Sequence, residues 1–448
     1  MTNSDVSGGC PLHDNAVPLY GQVVDRRTWA ELRARYGTLA PVELEPGVAA
    51  WLVLGYHECV EVMRDTTIFS RDSRGWREIT EGRMKPDSPL MSLFGERPWL
   101  LRREGLEHQR LRSTIVDALA RLTDQRLQSD IRVVADQLID RFVADGQADL
   151  LNQYARWLPI LVVNRAFGMD DRHGHLLMEL SRTLLDADPA VAEQAQAQLL
   201  EYFVALIAIK RERPGPDLPS WLLEHPAGLT DDELVQQLAQ LLLGNSEPTA
   251  HLLSNTLLAL LADRTFWNRY ARSELQVEEA VNRVLWQDPP LPVLAARYAR
   301  TDTRIGDTTV RAGEGLLLGL GAAHTDPVLG DAVEVAESSY ANRAHLAWGA
   351  GPHRCPAERL ARQIAQIGIG QLLQRIPAMR LTVPADELTW LPVMFLRGLA
   401  ELPVEFPPGE PLRPSVLAAE TLPAPATEPA SARPWFARLA SWLGARQK

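Results

Sequence analysis

The stretch that constrains this chain most lies near its C-terminal end: His345-Leu-Ala-Trp348-Gly-Ala-Gly-Pro-His353-Arg-Cys355-Pro-Ala-Glu-Arg-Leu-Ala-Arg362. A single cysteine sits there between a glycine-punctuated loop and an apolar pattern of helical spacing. Gly349 and Gly351 permit backbone shapes closed to other residues, so the loop can press flat against a bulky group. Pro356 suits a first helical turn, where its missing N–H would be unpaired anyway. Leu360, Ile364, Ile367 and Leu372 recur at helical intervals, which places Cys355 at or just before a helix N-terminus. The dipole and free N–H groups there favour an ionised sulfur, a ligand or a nucleophile. Most isolated cysteines are only small buried hydrophobes; the glycines and His353 set this one apart.

With 448 residues, 46 % of them hydrophobic, the chain can bury a large core. A net charge of −11 gives no footprint for nucleic acid. Cys10, Cys59 and Cys355 are too scattered for a disulfide framework or a zinc site, which fits a reducing cytoplasm. The N-terminus has no basic segment followed by an apolar run, and no stretch approaches ~18 uninterrupted apolar residues. A soluble, cytoplasmic protein is expected.

Trp348-Gly-x-Gly-x-His353-x-Cys355 resembles the haem-binding loop of the cytochrome P450 family, with Ala357 where the family has glycine. The resemblance implies a mainly α fold with a smaller β region, built as one domain over residues 1–408. It also implies haem b, iron protoporphyrin IX, with Cys355 as the iron-ligating thiolate and His353 on a propionate. His108 and Arg112, four apart on one helix face, match the family's His-x-x-x-Arg propionate pair; a solvated charged face is the ordinary alternative. Arg297, in Ala296-Arg297-Tyr-Ala299, matches a further propionate cation.

The rest of the chain can be placed around these points. Ala49–Leu54 reads as a strand, Tyr56–Arg64 as a helix, and 74–97 as a loop over the cavity that the resemblance implies. The middle, 124–226, is helical in pattern, with Leu199, Leu200, Phe203 and Leu206 expected in the core. Thr230-Asp-Asp-Glu233 is a capping box opening a long helix. Within it, Gly244-Asn-Ser-Glu247-Pro248-Thr249 falls on the family's acid–alcohol proton relay. Glu247 keeps the acid, Pro248 replaces the neighbouring alcohol and should kink the helix, and Thr249 or Ser246 is left to supply a hydroxyl. The family's Glu-x-x-Arg helix falls on 277–290, where one register offers Arg283 and Trp286 and another Glu279 and Arg283; its third member falls on Tyr340. The ion-pair network is therefore read as lost. Residues 308–320 read as a hairpin leading to a helix, and 390–404 as closing strands with Val393–Leu396 near the substrate. Residues 409–432 form a Pro/Ala-rich linker. Residues 433–448, with Trp435, Phe436, Leu439, Trp442 and Leu443 on one face, form an amphipathic helix suited to an anionic membrane surface or a partner protein.

The resemblance implies a haem-thiolate monooxygenase that inserts one atom of O2 into a small apolar substrate. A ferredoxin or flavodoxin would supply electrons, and Glu247 and Thr249 would handle protons. Arg110, Arg354, Arg359 and Arg362 would make a basic face for an acidic donor. The alternative is a peroxide-driven enzyme or a haem-bearing regulatory protein, motivated by Pro248 and the altered Glu-x-x-Arg helix.

Overall fold

The computed structural model describes residues 11–96, 99–184, 189–330 and 340–412. Cys10, residues 413–432 of the linker and the 433–448 helix lie outside them. The packed chain runs a little past residue 408: Gly409 N–H donates to the Val143 carbonyl and Leu412 N–H to Asp140, at 2.8 and 2.9 Å.

Helices dominate. The longest, Asp231–Ala262, opens with the expected capping box: Thr230 Oγ1 accepts from Glu233 N–H, and Glu233 Oε2 accepts from Thr230 N–H. This central helix packs against Trp157–Ala166, Pro189–Glu212, Val277–Gln287 and Glu358–Arg375, so its apolar residues bury on nearly every side. Leu199, Phe203 and Leu206 are in that core, with Leu200 packed against it. The helix runs unbroken through Pro248, although the Gly244 carbonyl loses the N–H it would otherwise receive from position 248.

A six-stranded sheet flanks the helices, in the spatial order Val17–Pro18, Leu39–Glu45, Val48–Val53, Gly315–Leu318, Leu294–Ala299, Phe69–Ser70. Val48–Val53 is buried along its whole length, because it is flanked by strands on both edges and covered on both faces. The expected 308–320 hairpin is corrected here. Thr308–Val310 pairs with Thr303–Ile305 across a turn at Gly306, while Gly315–Leu318 leaves to join the large sheet. Residues 74–97 carry three short helical turns.

Candidate active site

Between the central helix, the sheet and the start of helix Glu358–Arg375 lies a cavity of about 400 Å³. Cys355, His353, Trp348, Gly349 and Ala357 face it from one side; Thr249, Pro248, Asn245 and Gly244 of the central helix face it from another. The cysteine loop is held by its backbone. Gly349 and Gly351 have φ of +71° and +68°, the left-handed region where a Cβ is strained. A Cβ on Gly351 would also lie 2.6 Å from the Met63 carbonyl oxygen. Cys355 N–H donates to the Trp348 carbonyl at 2.8 Å.

The helix starts at Glu358, and Cys355 stands just before the Pro356–Ala357 turn that leads into it, as expected. Burial pushes the Cys355 thiol up to about 11, outweighing the Ala357 N–H bonded to the sulfur and the Arg112 charge. The unliganded thiol is neutral at pH 7. A metal cation at the sulfur would reverse that, since coordination removes the proton outright.

Beside the cysteine loop, around His353, the chain gathers buried cations. Arg71, Arg102 and Arg297 are 1 %, 6 % and 1 % exposed; burial and then the charges of Arg297 and Arg102 lower the pKa of Arg71, and the carboxylate of Glu104 lies within electrostatic reach of Arg71 and Arg297. His353 Nε2 lies 3.2 Å from Glu104 Oε2, and the His108 ring stacks on His353 at 4.0 Å between centroids. Burial pushes His353 down to about 3 and lowers His108, so both rings are neutral. Three guanidiniums against one carboxylate leave two positive charges away from water. Among the described residues, Nε of Arg71, Nε of Arg297 and Nε2 of His108 have no hydrogen-bond partner. Uncompensated buried charge costs several kcal/mol per ion, roughly, and persists where an anion completes it. A haem carries two propionates, and an iron facing Cys355 would leave them to these cations: the residues present fit the group.

His108, His353 and Arg297 therefore stand together, as expected from sequence. Arg112, whose charge acts on both His108 and Cys355, has its Nη2 donating to the Arg354 carbonyl at 2.6 Å, bracing the cysteine loop. Sequence reasoning missed Arg71, Arg102 and Glu104. Arg71-Asp72 and Arg102-Arg103-Glu104 look like surface charge, and only the fold turns Arg71 of the first and Arg102 and Glu104 of the second inward.

The proton-handling pair is corrected. Thr249 lines the cavity, its hydroxyl 3.3 Å from Asn245 Oδ1. Glu247 does not reach it: two residues along an unbroken helix are about 200° apart, on opposite faces. Glu247 lies 3.4 Å from Arg156 and 3.2 Å from His251. Burial works to raise its pKa, but these two partners outweigh it and hold the carboxyl below its ordinary value. Ser246 donates to the Leu242 carbonyl and is likewise turned away. Val393–Leu396 do not line the cavity; Met394 is buried against the sheet-side core and Val393 is exposed.

On helix Val277–Gln287 neither register makes a Glu–Arg pair. Glu279 accepts from Gln276 N–H at the helix start, and Arg283 lies over the Phe266 ring at 4.3 Å, with Asp263 3.6 Å away. Asn282 and Trp286, one turn apart, both donate to the Asn342 carbonyl, at 2.8 and 2.7 Å. The proposed basic face is also blunted. Arg110 pairs with Glu233, Arg354 and Arg362 with Glu358, and Arg359 with Asp124.

A cavity-facing cysteine on a glycine-bounded loop, with buried arginines and His108 gathered beside it, is the arrangement of a haem-thiolate protein. No protein-family model matches the chain. Cytochrome P450 107B1 of Saccharopolyspora erythraea is 30 % identical over 364 residues, covering 80 % of this chain and 89 % of that protein. The mycinamicin IV hydroxylase/epoxidase of Micromonospora griseorubida is 31 % identical over 388 residues, covering 83 % and 95 %. Among solved structures, CYP154C4 of a Streptomyces species superposes with a TM-score of 0.80 at 29 % identity, over 89 % of this chain and 99 % of that one. This chain belongs to the cytochrome P450 family, with its fold and its haem cofactor, and is a monooxygenase of the bacterial type. Among the described residues no helix is long and apolar enough to cross a membrane.

Proposed function

We propose that the cavity takes a neutral, mainly apolar organic molecule and that a ferredoxin or flavodoxin in the cytoplasm supplies the electrons that oxygenate it. The observation that carries this is the division of the wall. Its cations are gathered at the haem-propionate end. The remainder is formed by Leu100, Leu101, Ile115, Leu241, Leu252 and Leu294, with only neutral polar groups such as Gln237, Asn245 and Thr249. An apolar wall repays an apolar ligand for each Å² withdrawn from water and penalises a charged one.

The residues that would hold the haem are Cys355 on the iron, with Arg71, Arg102, Arg297, His108 and His353 at the propionates. Bound there, haem supplies O2 activation by two electrons; with two protons, one oxygen enters the substrate and the other leaves as water. The protein's part is to orient and exclude. The leucines keep bulk water from the substrate, and Thr249 holds a hydroxyl proton at the cavity wall. Glu247, 24 % exposed behind the helix, is placed to exchange protons with solvent rather than with the cavity. That placement, with Pro248 where a hydroxyl would stand, favours a second reading, a peroxide-driven oxygenase. The docking role of 433–448 rests on sequence alone.

The test is the absorption spectrum of the reduced, CO-bound protein. Wild type is expected to show the thiolate-type band and Cys355→Ala to lose it; a band that survives in Cys355→Ala refutes the ligand assignment. Turnover with reduced ferredoxin compared with peroxide then separates the two readings.

A further inference from the structure

Helix Val277–Gln287 lacks its family's charge pair, yet the loop it braces is the one that carries Cys355. The connection runs through a fully buried histidine. His324 follows the short helix Leu320–Ala323 and is 1 % exposed. Its Nδ1 is 3.0 Å from the Trp286 carbonyl, and the Leu346 N–H points at its Nε2 over 2.8 Å. A backbone N–H can only donate, so Nε2 carries the lone pair and Nδ1 the proton; the tautomer is fixed. Both partners need this ring. The Trp286 carbonyl sits in the last helical turn, and its i+4 residue is Pro290, which has no N–H. Leu346 is 4 % exposed, away from water.

From Leu346 the bonding leads directly to the ligand. The Leu346 carbonyl accepts from Gly349 N–H at 2.7 Å, closing the turn that sets Gly349 against the cavity. The next carbonyl but one, that of Trp348, accepts from Cys355 N–H.

We propose that His324 is a positioning residue that fixes the seat of the Cys355 sulfur, tying the C-terminal end of helix Val277–Gln287 to the cysteine loop through neutral hydrogen bonds, while the Glu278–Arg343 ion pair joins the start of that helix to the segment leading into the loop. The proposal rests on the haem-thiolate assignment. It accounts for the register at the Trp286 end of the helix, where Arg283 is turned to Phe266, whereas at the other end Arg343 already pairs with Glu278.

Three variants test it, because the two halves of the ring can be imitated separately. An asparagine amide falls near Nδ1 and keeps the Trp286 bond; a glutamine carbonyl reaches to Nε2 and keeps the Leu346 bond; leucine keeps neither at similar volume. The readouts are the ratio of thiolate-type to thiol-type bands in the reduced CO spectrum and the rate of haem transfer to a haem-free globin. His324→Asn and His324→Leu are expected to release haem at least about tenfold faster, with a raised thiol-type fraction, as one buried hydrogen bond is left unmade beside the loop. His324→Gln, which holds the loop but releases the helix end, is expected to lie between wild type and His324→Asn in both. Asparagine and glutamine variants that behave alike, or a wild-type band ratio in every variant, would overturn the proposal even if melting temperatures fall, since that is what mere packing does. Should leucine prevent folding, the asparagine–glutamine contrast still decides. A wild type with no thiolate-type band would instead remove the haem-thiolate assignment, and the proposal with it.

Discussion

Replacing Arg71 by leucine should move the haem-free and haem-bound proteins in opposite directions. In the haem-free protein Arg71 is 1 % exposed, and burial with Arg297 and Arg102 nearby holds its pKa well below the ordinary value for arginine. Its Nη2 donates to the Ala295 carbonyl at 3.0 Å, and Glu104 accepts from its backbone N–H rather than from its guanidinium. The guanidinium is thus a buried charge with one neutral hydrogen bond. Removing such a charge in favour of a hydrophobe of similar size stabilises by about 1–4 kcal/mol, less here for the Ala295 carbonyl left unpaired. The haem-bound protein should lose a charge-assisted bond of roughly 1.5–3 kcal/mol. Linkage adds the two differences, so haem affinity should fall by at least ~1.5 kcal/mol, more than tenfold. Urea unfolding of the haem-free proteins measures the first effect, and haem transfer to a haem-free globin the second. An Arg71→Leu protein that is less stable without haem, or that holds haem as tightly as wild type, refutes the charge argument.

The haem-free protein should lose stability in mild acid. Burial pushes His324 down to about 3 and His345 to about 2, so below the ordinary histidine value near 6.5 the unfolded chain binds protons that the folded chain refuses. Stability is full above that pH and falls through the window below it, by ~1.4 kcal/mol per pH unit for each ring; equal urea midpoints at pH 7 and pH 5 would contradict this. Pro248→Thr should return an N–H to the Gly244 carbonyl and place a hydroxyl at the cavity wall, lowering the hydrogen peroxide released per NAD(P)H consumed. Tight coupling in the wild type, unchanged in the variant, would show that protons arrive by another route.

What was legible in sequence was whatever depends on neighbours along the chain. The positive-φ glycines of the cysteine loop, the Thr230–Glu233 cap and the Leu360–Leu372 stripe are local devices, and local geometry is written in local residues. Helix register also carried His108 inward, because one buried face recurs every three to four positions. The rest depended on which segments meet. Arg71, Arg102 and Glu104 form the centre of the cation cluster, yet Arg71 comes from the end of a sheet strand and the others from the turn before a helix. Nothing in either window shows that their charges share one low-dielectric space. Glu247 and Thr249 stand two apart in sequence, which suggested a pair; a helix turns about 100° per residue, so the unbroken helix put them on opposite faces. His324 belongs wholly to the tertiary structure: its partners lie 38 residues before it and 22 after it. Only the packing of helix end, sheet and loop made a single imidazole the link between them.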